Sequence, residues 1–245
     1  MRVFDVLFLC LICSLALTAC QKAKSCITVT FDGLPFTLCE ASSPSEIKLF
    51  LKDEAGKIYG SFDAVKSDLQ KTDRHLLFAM NGGMYHENRN PVGLYVENGV
   101  AMSKLNTNEG PGNFHLLPNG VFWIGVNNSG VVAADDFDAA GVIYATQSGP
   151  MLVIENSLHP AFNAESKSYR IRNGVGQTED GRIYFVKSEQ PVNFHRFARF
   201  FKDELETPNA LFLDGTVSKL YSEDLDRNDR GQDMGPIIGV IEAVP

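Results

Sequence analysis

Two apolar segments of this chain run without a break into a polar residue followed by glycine. Leu76-Leu77-Phe78-Ala79-Met80 leads into Asn81-Gly82-Gly83-Met84-Tyr85, and Ala210-Leu211-Phe212-Leu213 leads into Asp214-Gly215. A buried strand that stops in this way keeps its last side chains inside the fold and leaves the next backbone amides bare, so the polypeptide itself can line a pocket. One strand end delivers an amide and the other a carboxylate, and together they suggest one active site. Two further segments set polar or charged groups beside glycine: Gln147-Ser148-Gly149-Pro150 and Arg172-Asn173-Gly174-Val175-Gly176. Taken singly, each strand end also fits a tight turn with glycine at positive φ.

The elements that must position these groups are mostly short strands. Cys26-Ile27-Thr28-Val29-Thr30-Phe31 and Leu34-Pro35-Phe36-Thr37-Leu38-Cys39 flank Asp32-Gly33, a strong signal for a two-residue hairpin turn. Alternation and apolar runs predict strands over 47–52, 57–60, 76–80, 151–154, 168–172, 182–187, 209–213 and 236–241. Hairpins are expected over Asn98-Gly99, around Pro118-Asn119-Gly120 and around Asn127-Asn128-Ser129-Gly130. Ser61 is placed to cap a helix over 62–71. A second helix is expected over 192–204, where Phe194, Phe197, Ala198, Phe201 and Leu205 recur at steps of three and four; it sits between two strands, as in a βαβ unit. Many strands and few helices predict an α+β fold: a large curved, mostly antiparallel (mixed) sheet with a few helices packed on it, in a single domain.

In their order and spacing, the blocks Ala79-Met80-Asn81-Gly82-Gly83-Met84-Tyr85, Gln147-Ser148-Gly149-Pro150-Met151-Leu152, Arg172 with its trailing glycines, and Leu211-Phe212-Leu213-Asp214-Gly215 resemble the phosphodiester glycosidase family with its uncovering-enzyme-like domain, in its bacterial lipoprotein and periplasmic branch. The resemblance runs from about residue 70 to the C-terminus. Two positions depart from it. Thr216-Val217-Ser218-Lys219 follows Asp214-Gly215 where many members have more glycines and a pair of serines, and Asn173 stands where a threonine is common.

The resemblance implies hydrolysis of a sugar-1-phosphodiester, with no cofactor. Such a cleavage passes through an oxocarbenium-like transition state, and the departing phosphate is already a stable anion that needs little protonation. One carboxylate and one fixed cation then suffice. Asp214 is the candidate nucleophile, base or cation-stabilising carboxylate. Arg172 is the candidate for a bidentate grip on phosphate. Asn81, Gly82 and Gly83 are candidates to orient hydroxyls or phosphate oxygens, with Gln147, Ser148, Gly149 and Ser218 as further substrate ligands. Glu87 is a candidate second carboxylate on a segment, His86-Glu87-Asn88-Arg89-Asn90, that otherwise reads as a solvated loop.

The remaining polar residues read as structural. None of the five histidines forms a metal-binding spacing with another histidine or a cysteine, so no metal is expected. The acidic runs at Asp135-Asp136-Phe137-Asp138 and 223–229 lack the EF-hand pattern and read as surface turns. Ser148 is not a hydrolase elbow, because Thr146 stands two residues before it.

Compartment and partners follow from the N-terminus and the charge. Arg2, the apolar stretch 6–16 and Leu17-Thr18-Ala19-Cys20 predict a lipoprotein signal over residues 1–19, with Cys20 lipidated and the single domain over 20–245. The expected location is the periplasmic side of a bacterial membrane, lipid-anchored, with Gln21 after the cysteine pointing to the outer membrane. The formal charge of −8 argues against nucleic acid as a partner. In the hairpin over Asp32-Gly33, residues pair when their numbers sum to 65, so Cys26 lies opposite Cys39 at a non-hydrogen-bonded position suited to a disulfide. Such a bridge requires an oxidising compartment. The expected substrate is a glycan phosphodiester of the envelope or an exopolysaccharide. The rival reading is a non-catalytic carbohydrate-binding or polysaccharide-assembly lipoprotein on the same fold.

Overall fold

The computed structural model describes residues 25–243; the predicted signal segment and Cys20 lie outside the described residues. In chain order the first strands are β1 (Cys26–Phe31), β2 (Leu34–Ala41), β3 (Ile47–Phe50), β4 (Arg74–Asn81), β5 (Tyr95–Glu97) and β6 (Val100–Ser103). They are followed by β7 (Gly120–Gly125), β8 (Ser129–Ala133), β9 (Val142–Ser148), β10 (Met151–Ile154), β11 (Ser157–Leu158) and β12 (Asn173–Gln177). The last are β13 (Ile183–Ser188), β14 (Asn209–Asp214), β15 (Leu220–Ser222), β16 (Arg227–Asn228) and β17 (Ile237–Ala243). Two α-helices interrupt them, α1 (Phe62–Leu69) and α2 (Phe194–Arg199).

The strands form three sheets rather than the single large one expected. A seven-stranded sheet has the order β1-β2-β13-β12-β14-β10-β11, and two five-stranded sheets have the orders β16-β15-β4-β17-β3 and β6-β5-β9-β7-β8. Strand pairing is antiparallel throughout the described residues. The α+β class holds. All three sheets give side chains to one central core, among them Phe185 and Leu211 from the first, Phe78 and Val240 from the second, and Phe122 and Tyr144 from the third.

Each helix covers the outer face of a sheet. Ser61 caps α1 by accepting from the Ala64 amide, and Phe62, Val65 and Leu69 pack on the β4–β17 side. Asn193 caps α2, which continues as a π-helical turn, Phe200–Glu204, so the predicted helix over 192–204 is present with a widened last turn. Phe197, Phe200 and Phe201 bury themselves against Phe36 and Phe212 of the seven-stranded sheet. Because β13 and β14 both run antiparallel to the β12 between them, they are parallel to each other, and α2 is their crossover.

The N-terminal hairpin has the expected register, Cys26 pairing with Cys39, and the two sulfurs are bonded with the Cα atoms 4.1 Å apart. Three of the strand and hairpin expectations fail. Residues 57–60 make only the isolated bridge Ile58 to Lys52. Residues 168–172 make only the isolated bridge Arg170 to Val192, and β12 starts at Asn173. Residues 118–120 form no hairpin; Gly120 begins β7 after a cis Leu117–Pro118 bond.

Candidate active site

The ends of β4 and β14 meet where the seven-stranded sheet approaches the first five-stranded one. The Asn81 Nδ2 donates to Asn173 Oδ1 at 3.3 Å, and the Asn173 Nδ2 returns a bond to Asn81 Oδ1 at 3.1 Å. Both side chains are fully buried. Buried amides keep their place only when their donors and acceptors are used, and these are: Asn81 Oδ1 also accepts from the Lys219 amide at 2.9 Å, and Asn173 Oδ1 accepts from the Asp214 amide at 3.1 Å.

A change of register aims Asp214. Asn173 pairs with Asp214, yet Gly174 pairs with Phe212, so β14 carries one extra residue at Leu213. Cross-strand partners share a face of a sheet, and a bulge lets two successive residues of one strand oppose a single partner residue. Phe212 therefore faces α2, while Asp214 joins Asn173 on the opposite face. Ser148 Oγ donates to the Leu213 carbonyl at 2.6 Å and Ser218 Oγ to the Asp214 carbonyl at 2.8 Å, bracing the bulge on both sides.

Asp214 is 7% exposed. It lies against a cavity of about 490 Å³ whose walls include Tyr85, His86, Glu87, Arg89, Asn113, Thr216 and Gln232. Burial raises its carboxyl above the usual range, partly opposed by the amides of Thr216, Gly215 and Val217, and no cation enters the balance. Thr216 donates to Oδ1 at 2.8 Å. Tyr85, whose hydroxyl donates to the Asp233 carbonyl at 3.1 Å, is raised by burial and then by the Asp214 charge. Arg89 lies over the Tyr85 ring at 5.3 Å and supplies a cation to the cavity wall. Its φ of 68° puts a non-glycine residue in the left-handed region, inside a turn closed by bonds from Arg89 N to His86 O and from His86 N to Asn90 O.

Arg172 is not part of this cavity, and its assignment as the phosphate grip is corrected. Its side chain lies against Phe194 and Phe212, on the α2 side of the sheet. The guanidinium lies 3.6 Å from the Phe194 ring centroid and is 1% exposed as a residue; Nε donates to the Val192 carbonyl and Nη2 to the Ser168 carbonyl. Burial, then Arg170, lowers it to about 10. It fastens the segment before β12 and the entry to α2 onto the sheet.

The remaining candidates divide into lining and scaffold. Glu87 lines the cavity from an exposed position. Gly82 does not offer a free amide: its N–H donates to the Pro236 carbonyl at 2.7 Å, and its carbonyl accepts from Thr146 Oγ1 at 2.5 Å. Any side chain there would meet Ile238 Cγ1 at 2.9 Å, which is why glycine closes this strand. At Gly83 a side chain would be strained by the φ of 143° and would bring its Cβ within 2.8 Å of Thr146 Oγ1. Gln147 bonds the Leu94 and Asn106 amides, the Asn106 carbonyl and the Asn119 side chain, so it shapes the loop beside the cavity from within. Gly149, cis to Pro150, packs against Asn119 and the Phe114 carbonyl. Lys219 turns its ammonium to the Gln232 carbonyl.

Sequence reasoning did not assign Arg89, Tyr85 or Asn173 to the site. The signal for the first two was their closeness to the Asn81 strand end; for Asn173 it was its place between Arg172 and the glycines that follow. Among the described residues no group of three or more His, Cys, Asp or Glu is placed to hold a metal ion, and no helix is long and apolar enough to cross a membrane.

Comparison with known proteins points the same way. The family model described as phosphodiester glycosidase matches residues 74–240. The chain is 38% identical over 176 residues to the uncharacterized protein YigE of Escherichia coli strain K12, covering 71% of this chain and 69% of that protein. Its fold is similar to the catalytic domain of zebrafish N-acetylglucosamine-1-phosphodiester alpha-N-acetylglucosaminidase auto-inhibited by its pro-peptide (TM-score 0.61, 14% identity, 88% of this chain and 81% of that one). It is also similar to a hypothetical protein from Synechocystis (TM-score 0.56, 13% identity, 88% of this chain and 61% of that one).

Proposed function

Because this chain belongs to the phosphodiester glycosidase family, we propose that it hydrolyses a sugar-1-phosphodiester of an envelope or exopolysaccharide glycan, with Asp214 as the reacting carboxylate and Arg89 as the phosphate-holding cation. One observation carries the reading: a buried carboxylate without a neutralising cation and an arginine held in a strained turn line the same cavity. Arg89 takes the role first given to Arg172.

The chemistry follows from these positions. A phosphate leaving group needs no proton, so the site requires no strong acid beside the departing oxygen. The demand falls on the opposite side of the sugar, where a water must be deprotonated as the oxocarbenium character grows. A carboxylate whose proton affinity is raised by burial is suited to that work, and Asp214 is the base. The C1–O bond breaks with its electron pair going to the phosphate oxygen, water adds to C1, and its proton passes to Asp214. Arg89 gathers the phosphate charge, and Tyr85 orients Arg89 by stacking.

Membrane tethering at Cys20, on the periplasmic side, belongs to the same proposal. The small residues before Cys20 support it, and so does the Cys26–Cys39 bridge, since disulfides persist in oxidising compartments. Hydrolysis in ¹⁸O-labelled water tests the reaction: cleavage at C1 leaves the released phosphomonoester unlabelled, whereas label in the phosphate shows attack at phosphorus and rejects a glycosidase. Intact mass of the N-terminal peptide from purified membranes tests the anchor; an unmodified Cys20 rejects it.

A further inference from the structure

Segments from all three sheets surround the Asp214 cavity, and their polar side chains differ in what already holds them. Asp214, at the end of β14, accepts from the Thr216 amide, the Tyr85 hydroxyl beyond β4 is spent on the Asp233 carbonyl, and Arg89 is stacked on Tyr85. Two neutral amides in the same wall are not spent. Asn113, before β7, and Gln232, before β17, line the cavity with exposed side chains that form no hydrogen bond with another described residue.

The backbone behind each amide is fixed. The Gln232 carbonyl accepts from the ammonium of the buried Lys219, the Asp233 carbonyl accepts from Tyr85, and the Met234 amide donates to the Gly60 carbonyl at 2.8 Å. The Met234 side chain is buried, and at Gly235 a Cβ would come within 2.6 Å of the Tyr85 ring, so the backbone lies flat against it. The Asn113 carbonyl accepts from the Leu116 amide at 3.2 Å, and the neighbouring Phe114 is buried. His115 Nδ1 donates to the Asn108 carbonyl at 2.6 Å and so closes the loop that leads into Asn113. A free side chain on a fixed backbone loses only its own rotamers on binding, which keeps the cost of ordering it low.

Side-chain amides are suited to sugar hydroxyls. Each carries two donors on nitrogen and an acceptor on oxygen, and a hydroxyl both donates and accepts, so an amide pairs with it without bringing a charge. Resting on the reading of this cavity as the place where a sugar-1-phosphodiester is cut, we propose that Asn113 and Gln232 each read a hydroxyl of the sugar and together set which sugar is accepted, while Arg89 takes the phosphate. Selection of this kind is strong, because a sugar without the matching hydroxyl leaves a desolvated amide unpaired.

Isothermal titration of the mature protein tests this with methyl esters of gluco-, galacto- and manno-configured C1-methylenephosphonates, which keep the phosphodiester charge and offer no C1–O bond to the leaving phosphate. Each monodeoxy analogue of the tightest ligand is titrated as well. Asn113→Ala and Gln232→Ala are each expected to weaken the tightest ligand about tenfold, the scale of one hydrogen bond, with melting temperatures unchanged because both side chains are exposed. For each variant, one monodeoxy analogue is expected to bind variant and native protein alike, since the hydroxyl and its reader are then lost together. A merely structural effect weakens every analogue equally. The proposal is overturned if none of the parent ligands binds, if either variant binds as tightly as the native protein, or if no deoxy analogue cancels the loss. Hydrolysis of the matching phosphodiester at C1 is read separately. Its absence with the hydroxyl pattern intact rejects the hydrolase and supports the readers, whereas turnover without the pattern rejects the readers alone.

Discussion

Asn81 and Asn173 face each other across the junction of two sheets, exchanging amide hydrogen bonds of 3.3 and 3.1 Å. One of them ends the strand that opens the cavity, and the other receives the backbone amide of Asp214. Replacing Asn173 by leucine leaves the Asn81 amide and the Asp214 N–H without partners in a dry site. Unsatisfied buried polar groups cost about 1–3 kcal/mol each, so urea unfolding should show a loss of at least about 1–3 kcal/mol. On the proposed mechanism, the folded variant should lose kcat more than KM, since the change displaces the Asp214 carboxylate and not Arg89.

The ionisation of Asp214 sets both a rate profile and a stability profile. Burial raises its carboxyl in the folded state above the unfolded value of about 3.9, so the native protein binds this proton more tightly than the unfolded chain. Its contribution to stability is therefore complete below about pH 3.9 and is lost as pH rises through the folded value. Asp214→Asn should raise the melting temperature at neutral pH, with the gain shrinking toward acid. A catalytic base must be ionised, so kcat should climb with pH through a limb lying above the ordinary aspartate range. Thermal scans and rate profiles on the same buffers check both trends.

Arg89 and Arg172 should fail in different ways. Arg89→Lys keeps a charge and loses the planar fork, so kcat/KM is expected to fall by about 10²-fold with the melting temperature little changed. Arg172→Met removes the bonds to the Val192 and Ser168 carbonyls, and should destabilise by about 1–3 kcal/mol with KM unchanged. A raised KM in a well-folded Arg172 variant would return the phosphate to Arg172.

The contrast between these arginines marks how far the sequence was legible. Asn81 and Asp214 stand at apolar strand ends before glycine, and the strands were readable from that local pattern; the Asn173 that links the two ends was not. Arg172 was given the phosphate by the resemblance and by the chemistry of its guanidinium, and no local pattern tells that its partners are the distant Phe194 ring and the Val192 carbonyl. The bulge at Leu213 that turns Asp214 onto the Asn173 face is a property of pairing between distant segments. The same holds for the partition of strands into three sheets, since local periodicity says which residues are extended and not which strand they join. Arg89 looked like part of a solvated loop because its polar neighbours are what such a loop would have; the turn that aims it is set by backbone bonds and by a positive φ.

The hairpin bridge gives a prediction independent of the site. Cys26 and Cys39 close a loop with a sequence separation of 13, and removing both sulfurs by Cys26→Ser with Cys39→Ser should cost about 2–4 kcal/mol in urea unfolding. Activity at low temperature should persist, because β1 is the outer strand of its sheet and lies apart from the cavity.

The most direct measurement compares the mature protein with Asp214→Asn on sugar-1-phosphodiester substrates, following free sugar and its initial anomer by NMR. The expected result is release by the native protein with inverted configuration at C1, and a fall in kcat of at least about 10³-fold in the variant with substrate binding retained. Equal turnover by both proteins, or binding by both with turnover by neither, contradicts Asp214 as the catalytic carboxylate of a phosphodiester glycosidase.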